Sequence, residues 1–185
     1  KKEILPKVVQ TGLKLSFAIE ESNRHAPLNI SCQAEKAGED YKINGEKSFV
    51  LDGGFADKLI VATRTSMNPG DKEGITLFIV DSDLKGLEVT STKMVDSRNA
   101  ANIKFNEVKI HSSHMIGDEG EGFEIIESVL DISRAAISAE MLGGALEAYE
   151  ITIDYLKERE QFGSKIGSFQ ALQHRAAIMF SELEL

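Results

Sequence analysis

The 185-residue sequence has one cysteine, no tryptophan, three prolines and four histidines. The lone Cys32 excludes an intrachain disulfide and any paired-cysteine zinc motif, and a reducing, cytoplasmic location is the default expectation. The histidines, His25, His111, His114 and His174, do not fall into a metal-ligand spacing. His111 and His114 are three apart, but no second pair follows them, so no metal is expected. No apolar run approaches the roughly 20 residues of a membrane span, and no signal-peptide pattern is visible. Basic residues are few, with 21 Lys and Arg against 30 Asp and Glu and a formal net charge of -9. That balance argues against binding nucleic acid through its phosphates. Internal repeats and low-complexity tracts are absent as well.

What is present is globular in composition, 42% hydrophobic and 28% charged, and long enough for one good core or two small ones. Leu5-Pro6 reads as an extended or turn dipeptide in a short lead-in over 1–12. Residues 13–19 and 29–35 alternate with the period of half-buried strands. Residues 41–43 form a short strand, Asn44-Gly45 carries a hairpin signal, and 46–51 read as its partner strand. Continuous apolar runs at 58–63 and 75–80 suit buried strands, and 87–92 and 101–108 complete a set of seven or eight. Near Ile116-Gly117 the period changes from 2 to 3.6, with a helix expected over 123–156 and another from about Ser168. The expected fold class is α+β: an antiparallel β-sandwich or barrel over 1–115, followed by long helices of an incomplete helical bundle over 116–185. The chain opens without Met and closes inside a helical pattern, so it reads as a piece of a larger protein.

In the helical part, Ile126, Val129, Leu130, Ile137, Met141, Ala145, Tyr149, Ile153 and Leu156 recur three or four apart, one face of a long helix. Packing does not account for the polar residues there. Asp131 and Arg134 lie i,i+3 and can pair in solvent, and Arg159 stands where a cation suits the helix dipole. Phe162 is as readily a core residue as a ligand contact, and by packing alone Phe49 and Val50 are ordinary strand residues.

Leu130-Asp-Ile-Ser-Arg134, Arg159-x-x-Phe162-Gly163 and Phe169-Gln170-Ala-x-Gln173, in that order and spacing, resemble the acyl-CoA dehydrogenase family at the start of its C-terminal helical bundle. The β-half adds to the resemblance through 13–21, through Gly45-Glu-Lys-Ser-Phe49-Val-Leu-Asp-Gly53, through Phe105-Asn-Glu-Val108 and through Gly117-x-x-Gly120-x-Gly122-Phe123. It covers essentially the whole chain and implies the middle β-domain plus the first two helices of the bundle.

The resemblance implies an FAD-dependent oxidation of an acyl-CoA at Cα and Cβ. It also implies an electron-transfer flavoprotein or similar acceptor, and a homo-oligomer, dimer or tetramer. The residues implied to touch FAD are Ile19, Glu20, Phe49, Val50 and Leu51 on the β-domain. Arg159, Gln161, Phe162, Phe169 and Gln170 are implied to reach the FAD of a neighbouring subunit. Asp131, Ser133 and Arg134 are implied to meet the substrate. In the family, hydroxyl-bearing residues stand near the positions of Glu20 and Leu51, and a tryptophan stands at Phe49. A hydroxyl donor to the flavin is therefore missing twice, which implies a weak hold on FAD. No catalytic base is assigned: one family position for it falls on Ser133, and the other lies on a later helix. Two further readings follow from these departures. The chain could be a non-catalytic subunit lending Arg159 and Phe162 to a partner's FAD, or an interaction domain without a cofactor.

Overall fold

The computed structural model describes residues 4–185. It opens on helix α1 (Ile4–Thr11), where an extended lead-in is expected. Pro6 lies in the first turn, where its missing N–H has no helical partner to lose. There follow β1 (Leu15–Ala18), β2 (Gln33–Ala37), β3 (Asp40–Leu51), β4 (Lys58–Arg64), β5 (Ile75–Asp81), β6 (Leu87–Lys93), β7 (Asn99–His111) and β8 (Met115–Ile116). The helical part comprises α2 (Gly122–Glu158), the short strands β9 (Glu160–Gln161) and β10 (Ser164–Lys165), and α3 (Gln170–Glu184). The order of a β-half followed by long helices is the one the periodicity predicts. Among the described residues, no helix is long and apolar enough to cross a membrane.

The eight strands form one sheet in the order β6-β7-β3-β2-β4-β5-β8, with β1 also on β4. It is not closed into a barrel, and it is mixed rather than wholly antiparallel. β1 runs parallel to β4 over Leu15–Ala18, and Gln33 of β2 bridges Arg64 of β4 in parallel sense. The β2–β3 hairpin turns at Gly38-Glu39, not at Asn44-Gly45. Asn44-Gly45 instead lies inside β3, where the pairing with β7 slips between Ile43 and Gly45. This is a β-bulge, and both residues serve it. The Asn44 side chain accepts from the Glu107 amide at 2.8 Å and donates to its carboxylate at 2.7 Å. Gly45 has φ 144, and a Cβ there would come within 2.7 Å of the Cys32 Cα.

The core gathers from β2, β3, β4, β5 and β7, with Tyr41 and Phe78 in ring contact at 5.0 Å and Ile43, Leu59, Ile103 and Phe105 fully buried. Each such side chain contributes roughly 1.5–3 kcal/mol on burial. Cys32 belongs to this core, and burial pushes its thiol up to about 12 despite nearby Lys47. It is therefore a neutral packing group and not a reactive thiol.

The sheet unit extends beyond residue 115. The Tyr41 hydroxyl donates to Glu119 at 2.9 Å, the Gly120 amide donates to Thr76 Oγ1 at 2.9 Å, and Phe123 and Ile126 are buried. The two compact units accordingly divide between Glu127 and Ser128. In the second unit α3 returns along α2, with Tyr149 and Phe180 6.2 Å apart and Gly167 packed on the Leu156 carbonyl. Apolar residues are not confined to one stripe of α2. Ile132, Ile137, Met141, Leu142, Leu146 and Ile151 are all exposed.

Candidate functional site

β1 and β2 lie end to end along the same edge of β4: Leu15–Ala18 faces Lys58–Val61, and Gln33 faces Arg64. Residues 19–32 therefore leave the sheet as a loop between them. Charged side chains hold that loop, which is why residues 29–32 are not ladder-paired strand. The Glu21 carboxylate accepts from the Ser31 and Cys32 amides at 2.7 and 3.0 Å and from Lys47 Nζ at 2.6 Å. Lys47 also donates to the Ile19 carbonyl at 3.2 Å, and its side chain is 0% exposed. On the far side, Arg64 donates to the carbonyls of Leu28, Ile30, Asp71 and Glu73 at 2.7–3.2 Å. Burial pulls the guanidinium's pKa down, opposed by Asp71 and Glu21.

A second bulge in β3 faces this loop. Pairing with β7 slips between Lys47 and Val50, both of which are buried, and Phe49 adopts φ 51. Left-handed backbone is costly for a bulky residue and concentrates at functional sites. The bulged amides are satisfied from outside the ladder. Ser48 N donates to the Glu20 carbonyl at 2.8 Å and Phe49 N to Asn102 Oδ1 at 3.1 Å. The Phe49 ring is left 58% exposed. Beside it opens a cleft of about 410 Å³, lined by Glu20, Ser22, Asn23, Arg24, His25 and Phe49.

Glu20 and Phe49, both implied by the family resemblance to touch the cofactor, line the same cleft. Ile19 is buried, and its carbonyl is taken by Lys47. Val50 packs in the core, and Leu51 is half exposed with its carbonyl accepting from the Ser16 hydroxyl. Neither residue lines the cleft. Sequence reasoning misses Glu21, Lys47, Arg24 and Asn102. One signal was available: Lys47 stands at an inward position of a strand whose other inward residues are apolar, so it requires a buried anionic partner.

In the helical unit, Arg134 pairs with Asp131 at 2.6 Å, both exposed, and the Ser133 hydroxyl donates to the Val129 carbonyl at 2.8 Å. Beyond the end of α2, β9 and β10 form a two-residue hairpin with Phe162 at φ 55 and Gly163 at φ 80. Positive φ at both central positions marks a type I′ turn, in which a glycine is usual and a phenylalanine is not. Phe162 is 94% exposed and meets Phe169 edge to face at 6.2 Å. Arg159, Gln161 and Gln170 are exposed on the same short segment. The Gln161 amide is turned back onto the Glu160 carbonyl, and the backbone carbonyl of Arg159 accepts from the Ile166 amide. A guanidinium three residues from an exposed aromatic pair suits an aromatic ligand that carries phosphate.

Two family models match the chain in succession. They are those of the acyl-CoA dehydrogenase middle domain over residues 20–109 and of the acyl-CoA dehydrogenase C-terminal domain over 120–185. The chain is 33% identical over 184 residues to the mitochondrial short/branched chain specific acyl-CoA dehydrogenase of Bos taurus, covering 97% of this chain and 42% of that protein. It is 36% identical over 174 residues to the probable acyl-CoA dehydrogenase YngJ of Bacillus subtilis (strain 168), covering 92% and 46%. The chain therefore spans less than half the length of these relatives. Among solved structures it resembles the acyl-CoA dehydrogenase of Geobacillus kaustophilus, with TM-score 0.89, 30% identity, and 100% and 50% coverage. It also resembles an FAD complex of PigA, with TM-score 0.90, 29% identity, and 100% and 49% coverage.

Proposed function

The chain belongs to the acyl-CoA dehydrogenase family, and from that premise we propose that it is part of a flavoprotein that oxidises acyl-CoA thioesters at Cα–Cβ. FAD, when bound, supplies the hydride acceptor. The observation that carries the reading is the cleft beside Phe49, where a bulge presents an aromatic ring at the mouth of a loop held by buried charges. Its volume falls within the range of small-ligand pockets, and an aromatic wall with a polar rim fits a planar heteroaromatic ring. Phe49 would stack on the ring, and the side chains of Ser22 and Asn23, which line the same cleft, would meet its polar edge. Among this chain's residues Asp131, Ser133 and Arg134 are proposed to meet the thioester side. The single cysteine supports a reducing compartment such as the cytoplasm. Titration of FAD into the protein is expected to quench flavin fluorescence with a dissociation constant in the micromolar range. No quenching at tens of micromolar would refute the cofactor reading.

The helical unit supports a second element of the proposal. Phe162 is almost wholly exposed in a strained turn, with the Phe169 ring beside it. We assign it, with Arg159, Gln161, Phe169 and Gln170, to the cofactor of a second copy in a homo-oligomer. Self-association is expected at tens of micromolar, because α2 and α3 leave many large apolar side chains exposed, among them Ile132, Met141, Ile151 and Ile178. Sedimentation velocity showing one monomeric species at that concentration would count against it.

A further inference from the structure

The cleft beside Phe49 contains a carboxylate that cannot turn. The Glu20 Oε1 stands 2.5 Å from His25 Nδ1, and Oε2 accepts from the Ala26 amide at 3.0 Å. Its side chain is 21% exposed, against 56% for His25. Held at both oxygens, it presents negative charge and acceptor capacity to the cleft, and it offers no donor. His25 offsets that charge only when its ring is protonated, and a neutral imidazole donating through Nδ1 leaves it in place, while the other charges nearby do not cancel it. Glu21 is committed to Lys47 and to the Ser31 and Cys32 amides. Arg24 is exposed on the loop, where solvent screens it.

We propose that Glu20, clamped by His25 and the Ala26 amide, is a positioning residue for redox poise: its charge favours the oxidised form of a flavin lying against Phe49. The inference rests on the reading of this cleft as a flavin site. Two-electron reduction leaves the flavin ring anionic at neutral pH, and like charges repel strongly where water is partly excluded. A bound flavin is therefore a weaker oxidant than it would be beside a neutral residue at position 20.

The test is the midpoint potential of the protein at saturating FAD, measured by equilibration with a reference dye. Glu20→Gln is expected to shift the reduced-to-oxidised ratio roughly tenfold toward reduced flavin, about 30 mV for a two-electron couple. Asn23→Asp adds charge to the same cleft without touching the bonds of Glu20, and it is expected to move the potential the opposite way. Unchanged potentials in both variants overturn the proposal while leaving the cleft a flavin site. Shifts of the same sign in both indicate loop loosening and not charge, and overturn it too. Absence of flavin fluorescence quenching in the unsubstituted protein removes the underlying cofactor reading and the proposal with it.

Discussion

Lys47→Ala is expected to destabilise the sheet unit by about 3–5 kcal/mol, the usual cost of removing one partner of a buried ion pair. Lys47 is fully buried, and its ammonium is shared between Glu21 at 2.6 Å and the Ile19 carbonyl at 3.2 Å. The alanine leaves the Glu21 charge, itself only 12% exposed, without its cation. Stabilities of single domains are typically about 5–15 kcal/mol, so this is a large share of the total. Urea denaturation followed by circular dichroism measures it. The double variant Lys47→Met/Glu21→Gln removes both charges and is expected to recover part of the loss, because the amide oxygen of Gln can still accept from Ser31 or Cys32. A loss below about 1 kcal/mol in the single variant would show that the pair is hydrated and that the loop is held by something else. Flavin binding provides a second readout. The Glu20 carbonyl accepts from the bulged Ser48 amide next to Lys47, so loosening residues 19–32 is expected to weaken FAD binding even where the fold survives.

The second large effect concerns turnover. The 185-residue chain, supplied with saturating FAD, is expected to reduce dye with short, medium or long acyl-CoA no faster than a flavin-only control. Abstraction of an α-proton needs a base within hydrogen-bond reach, and a positioned general base contributes typically about 10²–10⁴-fold. Ser133 stands where the family resemblance implies one base position, and its hydroxyl is committed to the Val129 carbonyl. Asp131, two residues away, is engaged by Arg134 at 2.6 Å. Glu20 is a carboxylate in the proposed cofactor cleft, but both its oxygens are already accepting. Turnover well above the control that disappears in Glu20→Gln would identify Glu20 as the base and overturn this assignment.

Local patterning along the chain set the order of the elements and their type. Period two before Gly117 and period 3.6 after it follow from which faces must be buried, and that requirement is local. β4, β5, β6 and β7, the extent of α2 and the start of α3 were legible for this reason, as were the motifs that carry the family resemblance. Tertiary structure decided what depends on contacts between distant residues. Asn44-Gly45 has the composition of a turn, yet it forms a bulge because β7 continues beside it and Glu107 takes the Asn44 side chain. Residues 29–32 alternate like a strand, yet Arg64 and Glu21 claim their backbone groups first. Phe49 has an ordinary strand context, and only the slip between Lys47 and Val50 turns it out into the cleft. The clamp of His25 on Glu20 depends on how residues 19–32 close, and that closure is set by a lysine 26 positions beyond Glu21. Periodicity records the burial of each residue, but the partner of a buried charge is a long-range fact and leaves no period in the chain.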